Sequence, residues 1–94
     1  MAYQLVLSPE AIADIDKAVE YYNGISAGLG FEFTDTLDRY FKNITDLPTA
    51  STIRYDNVRV KPIDTFPVTI HFTISTNDLI IVLRIFNTNQ QPFW

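Results

Sequence analysis

Few side chains in this sequence could do chemistry near neutral pH. His71 is the single histidine, and no cysteine accompanies it. Thiolate nucleophiles, disulfides and Cys- or His-rich metal sites are therefore excluded, and neither a metal nor a cofactor is expected. What remains is a group of cations in the second half of the chain: Arg54, Arg59 and Lys61 in "RYDNVRVK", and Arg84 in "LIIVLRIF". Cleavage of RNA through its 2′-hydroxyl needs a general base, a general acid and a cation for the developing phosphorane charge. His71 could serve as the acid or base, with Arg59, Lys61 and Arg84 as phosphate clamps. The bland alternative makes Arg59 and Lys61 solvated strand positions and His71 a sheet-face residue beside threonines. Arg84 is harder to set aside, because a cation inside an apolar strand is costly unless it is paired or exposed at a groove. Either Asp64 or a carboxylate of a partner protein is expected to pair with it. Phe93 and Trp94 either fold back on the core or leave Trp94 as an anchor for a partner.

These residues sit in a chain of 94 residues with 47% apolar content, seven Phe and five Tyr. That is one domain, residues 1–94, rich enough in apolar side chains to fill a core without staples. The first residues show neither a basic n-region nor a continuous apolar h-region, so no signal peptide is expected, and the aliphatic run Leu79 to Leu83 is far too short to span a bilayer. A soluble cytoplasmic protein with no membrane partner is the expectation. The net charge of −4 argues against a general nucleic-acid binder. Residues 1–50 carry three basic and eight acidic side chains, net −5, and residues 51–94 four basic and three acidic, net +1.

The elements that position the candidates follow from periodicity. "YQLVLS" reads as a short strand. Ser8 then suits a helix N-cap, Pro9 the first helical position and Glu10 the positive end of the helix dipole. Ile12, Ile15, Val19 and Tyr22 recur at helical spacing up to Asn23-Gly24, where this helix is expected to end. After "SAGLG" a second helix runs through Phe33, Leu37, Phe41 and Ile44 to Leu47-Pro48. The two form an antiparallel helical hairpin. From residue 52 the period becomes two, and "FPVTIHFTIS" puts Phe66, Val68, Ile70, Phe72 and Ile74 on one face. The whole reads as a small α+β domain: an N-terminal strand, a helical hairpin, then an antiparallel sheet of three or more strands.

A four-residue loop, Ser75 to Asp78, would pair Ile74 with Leu79, Phe72 with Ile81 and Ile70 with Leu83. Thr69 then lies opposite Arg84 and His71 opposite Val82. With Val58 and Val60 on the core face, Lys61 falls beside Thr69 and Arg59 beside His71. This register predicts that Arg59, Lys61, His71 and Arg84 converge on one sheet face.

With these elements in order, the sequence resembles the RelE/ParE superfamily of toxins from bacterial type II toxin–antitoxin systems. The likeness spans essentially the whole chain. "LSPEAIADIDKAVEYY", "GLGFEFTDTLDRYF", "RYDNVRVKPIDTFPVTIHFTI" and the end Pro92-Phe93-Trp94 carry it. It implies a βααβββ-type fold, a cognate antitoxin that wraps the toxin, and growth inhibition when the toxin is free. A homodimer, or a hetero-oligomer with the antitoxin, is compatible with it. RelE-like members cut mRNA on the ribosome with basic residues of the sheet face, whereas ParE-like members poison DNA gyrase without chemistry of their own. The helical hairpin, the Phe66-Pro67 pair and the Pro-x-Trp end resemble the ParE-like, plasmid-stabilisation branch. Relatives commonly carry His and Arg after the last strand. Here that frame reads Asn87-Thr88-Asn89-Gln90-Gln91-Pro92, without charge. The expected function is a toxin that binds a protein target, gyrase, and is neutralised by an antitoxin through Arg59, Arg84 and Trp94. The alternatives are a ribosome-dependent mRNA endoribonuclease using His71, Arg59 and Lys61, and a decayed, non-toxic homologue that still binds an antitoxin.

Overall fold

A computed structural model of the chain describes residues 3–89. The first strand, β1 (Gln4–Leu7), leads into helix α1 (Pro9–Ile25). Ser8 does two jobs at this junction. Its hydroxyl accepts from the Ala11 N–H at 3.0 Å, capping the helix, and donates to the Leu83 carbonyl at 2.9 Å. The cap thereby ties the start of α1 to the last strand. Helix α1 runs past Asn23-Gly24 to Ile25, one residue beyond the expected stop, since a glycine in the final turn costs only about 1 kcal/mol.

Helix α2 (Leu29–Asp46) follows a turn that depends on Gly28, whose φ of +87° suits a residue without Cβ. Gly30 serves closeness instead. Its N–H donates to the Asn23 side-chain oxygen at 2.8 Å, and a Cβ there would stand 2.7 Å from the Asn23 amide nitrogen. The hairpin then packs its Phe33, Leu37 and Ile44 stripe on a five-stranded sheet of order β1-β5-β4-β3-β2. The remaining strands are β2 (Ile53–Tyr55), β3 (Val58–Pro62), β4 (Val68–Ser75) and β5 (Leu79–Asn87). Asp56 and Asn57, both with positive φ, close the β2–β3 hairpin in the mirror-image turn that matches strand twist. β1 pairs in parallel with β5, which the crossover through the helical hairpin permits, and every other neighbour is antiparallel. The expected α+β class and element order are therefore those observed. No helix among the described residues is long and apolar enough to cross a membrane.

The register differs from expectation by one residue. Ser75, not Ile74, stands opposite Leu79, so Ile74 meets Ile80 and Phe72 meets Val82. The connection is a three-residue turn, Thr76–Asp78, in which Asn77 and Asp78 adopt left-handed backbone angles that Asn and Asp tolerate. A β-bulge then inserts Leu83 between the pairs Phe72↔Val82 and His71↔Arg84. The extra residue shifts the alternation, so that Ile80, Val82 and Ile85 all reach the core cluster with Ile70 and Phe72. Without it, strict alternation from Ile80 and Val82 would turn Arg84 into the core.

The β3–β4 register corrects a second expectation. Arg59 stands opposite Phe72 and Lys61 opposite Ile70, while Val60 stands opposite His71. Arg59 and Lys61 therefore share the helix-covered face with the core, and Val58 and Val60 lie on the other face with His71. They are buried there all the same, at 6% and 7% exposure, as is Phe86.

Candidate functional site

The three cations and the imidazole expected on one face are split between two. Arg59 and Lys61 border α2 and the segment after it: Arg59 donates to the Ser51 carbonyl at 2.6 Å, and the Lys61 ammonium lies 5.8 Å from the centre of the Tyr40 ring. His71 and Arg84 are cross-strand neighbours on the opposite face. The structure thus unites two of the candidates and removes the other two, because a one-residue change of register exchanges the faces of a strand.

His71 is fully buried. Its Nδ1 lies 3.0 Å from the Tyr55 hydroxyl and its Nε2 2.8 Å from the Thr69 hydroxyl. A neutral imidazole offers one donor and one acceptor, and hydroxyls can complement both. Burial lowers its pKa to about 4, and the positive charges of Arg84 and Arg54 push the same way against the weaker pull of Asp14. At neutral pH the ring is uncharged and enclosed, with both nitrogens engaged. Such a group cannot donate a proton to a leaving oxygen, and it is a feeble base.

Tyr55 is thus a polar partner of the histidine as well as a ring beside it. Burial raises the pKa of its phenol, with a further push from Asp56, so that it stays protonated.

Arg84 finds its carboxylate in Asp14 of α1, not in Asp64. Its Nε donates to Asp14 Oδ2 at 2.8 Å and its Nη2 to Oδ1 at 3.1 Å, a bidentate pair, and the Ile85 N–H donates to Oδ2 at 3.0 Å. β1 stops pairing at Leu7↔Val82 and the Ser8 N–H bonds the Val82 carbonyl. The Asp14 carboxylate then takes up the strand edge where β1 leaves off. The hydrogen bonds to Asp14 hold Arg84 firmly charged. No local pattern marks this contact, because the partners are 70 positions apart. The Arg84 side chain keeps 43% of its surface exposed, so the guanidinium still faces outward.

Asn87 ends β5, and Asn89 bonds its side-chain oxygen at 2.8 Å in a local turn. Trp94, with the rest of the amide tract from Gln90 onward, lies outside the described residues. Among those described, no group of His, Asp and Glu side chains is arranged to hold a metal ion.

Comparison with known proteins follows the same outline. A solved structure described as "Chromosomal ParDE TA system from P. aeruginosa" superposes with a TM-score of 0.80 at 17% identity, over 90% of this chain and 95% of that one. At that identity the likeness is one of fold. No curated protein sequence matches the chain. The family described as "ParE toxin of type II toxin-antitoxin system, parDE" matches residues 5–92, nearly the whole length. The chain belongs to the ParE toxin family of type II toxin–antitoxin systems.

Proposed function

We propose that this toxin halts growth by binding a protein target, DNA gyrase, rather than by cutting RNA, and that a cognate antitoxin silences it in the cytoplasm. The observation that supports binding over catalysis is the state of His71: buried, neutral and hydrogen-bonded at both ring nitrogens. Arg59 and Lys61, the phosphate clamps a nuclease would need beside it, stand on the other face of the sheet. The uncharged run Asn87-Thr88-Asn89-Gln90-Gln91 supplies no replacement cation. Arg84, outward-facing although paired, suits contact with a partner carboxylate, as does Arg59 on β3. Trp94 is proposed as an aromatic anchor in the same assembly.

The test is induction in a host without the antitoxin, with transcript ends mapped on translating ribosomes. Growth should stop, co-expression of the protein encoded by the adjacent gene should restore it, and no codon-specific mRNA cuts should appear. Cuts that vanish in His71→Ala would replace this reading with the endoribonuclease. Normal growth together with intact binding of the neighbouring gene product would identify a homologue that has lost toxicity.

A further inference from the structure

The helical hairpin covers one face of the sheet, yet the other face is buried as well. His71 and Thr69 of β4, Val58 and Val60 of β3 and Phe86 of β5 are each at most 9% exposed. Val58, Val60 and Phe86 stand outside the core cluster that the hairpin and sheet share. A two-layer domain leaves such a face open to water unless something further lies across it.

Among the described residues, Tyr55 supplies part of that cover. Its hydroxyl reaches His71 Nδ1 from β2, two strands away, so the ring passes over β3. The phenol ends at His71, one strand short of Phe86, which lies on β5 opposite Thr69. Phe86 meets the His71 ring at 5.9 Å between centroids, and the two present their outer sides on the same face. β1 ends before this level, since its pairing with β5 stops at Val82.

The cover must therefore come from residues 1–2 or 90–94. Residues 1–2 adjoin the other end of β5, because Gln4 pairs with Leu79. Phe86 lies seven residues along that strand, about 23 Å away, and two residues span only about 7 Å. Residues 90–94 start in the right place. The Thr88 N–H donates to the Pro67 carbonyl at 2.8 Å and the Asn89 N–H to the Asn87 side chain, a local turn just past Phe86. Five extended residues reach about 17 Å, which is also about the distance along β5 from Asn89 back to Arg84, opposite His71. Their types suit the task. Proline disfavours a helical Gln91, and Phe93 and Trp94 bring the largest apolar areas a short segment can offer.

We propose that residues 90–94 double back across the helix-free face of the sheet and set Phe93 and Trp94 over Phe86 and His71. The tail then acts as a strap that completes the second side of the domain, and the enclosure of the imidazole is partly its work. Trp94 can serve a partner from this position only by lifting away, which uncovers Phe86 and His71 together. The covering itself does not depend on which partner the toxin takes.

The chain has one tryptophan and one histidine, so each reports alone. In the unaltered full chain, acrylamide should quench Trp94 fluorescence several-fold less than in the urea-unfolded chain. Nuclear Overhauser contacts should join the indole to the ring of Phe86 or His71. An indole quenched as freely as in the unfolded chain, with no such contacts, overturns the proposal. The double variant Phe93→Ser, Trp94→Ser tests the cover from the other side. With its fold intact by circular dichroism, its His71 ring protons should titrate closer to the ordinary 6.5 than those of the unaltered chain. An unchanged titration assigns the cover to another segment and overturns the proposal as well. If the double variant does not fold, quenching and Overhauser contacts in the unaltered chain decide.

Discussion

Acidification should unfold this protein by way of His71, and the size of the effect can be worked out. In the unfolded chain the ring titrates at the ordinary 6.5, and in the folded chain at about 4. Between those values the unfolded state binds a proton that the folded state refuses, so stability falls as pH falls. Above 6.5 neither state is charged and the contribution is complete; it is lost progressively from there down to about 4. Each pH unit is worth about 1.4 kcal/mol at full slope, so the window removes roughly 3 kcal/mol, a large share of a stability of about 5–15 kcal/mol. Carboxylates also titrate towards the lower limit, so the comparison is with His71→Gln. Glutamine keeps a donor and an acceptor for the neighbouring hydroxyls but has no charge to gain. Urea unfolding of both proteins across this range should show the unaltered protein losing stability faster than His71→Gln as pH drops, so that the curves diverge once the offset at neutral pH is subtracted. Two parallel curves would mean that the imidazole is already charged or solvent-reached in the folded state, and the argument against a catalytic His71 would lose its footing.

Other substitutions read other parts of the framework. Asp14→Ala removes three hydrogen bonds and strips Arg84 of this carboxylate. Because the pair is partly exposed, the loss should be about 2 kcal/mol, read as a shift in urea midpoint with unchanged slope. Asp14→Asn, which can retain some of these contacts, should lose less. Gly30→Ala drives a Cβ against Asn23 and should destabilise by about 1–2 kcal/mol, whereas Gly24→Ala meets nothing within 4 Å and should be neutral or stabilising in a thermal melt. Phe33→Ala or Phe72→Ala empties a fully buried site and should cost about 3–5 kcal/mol; a loss under about 1 kcal/mol at both would place the core elsewhere.

Much of the architecture was legible because it is written in short-range patterns. Ser8-Pro9-Glu10, the stripes of the two helices and the alternation from Phe66 to Ile74 each depend on neighbours within a turn or a pleat, and the elements formed nearly as read, except that Ile12 is exposed and Ala11 takes its place in the core. The candidate site failed where a single position mattered. The turn at Thr76–Asp78 is one residue shorter than assumed, and the bulge at Leu83 moves the register one further residue in the same direction, so the β4–β5 pairs expected around His71 and Arg84 are displaced by two. Val58 and Val60 misled for a different reason. Apolar residues on β3 were assigned to the helix-covered face, whereas both faces of this strand are largely buried and the alternation alone does not say which face holds the valines. The Asp14–Arg84 pair had no local signature whatever, since a helix residue meets a strand residue only after the whole fold has closed.

The central claim is that this toxin works by occupying a protein, and supercoiling by purified gyrase tests it most directly. Relaxed plasmid is incubated with gyrase, ATP and increasing amounts of the toxin, with and without the protein encoded by the adjacent gene. The account expects supercoiling to be inhibited in proportion to the toxin added, to recover when the neighbouring product is present, and to be inhibited equally by His71→Gln. Undiminished supercoiling at saturating, folded toxin, from a preparation that still arrests growth, would contradict it.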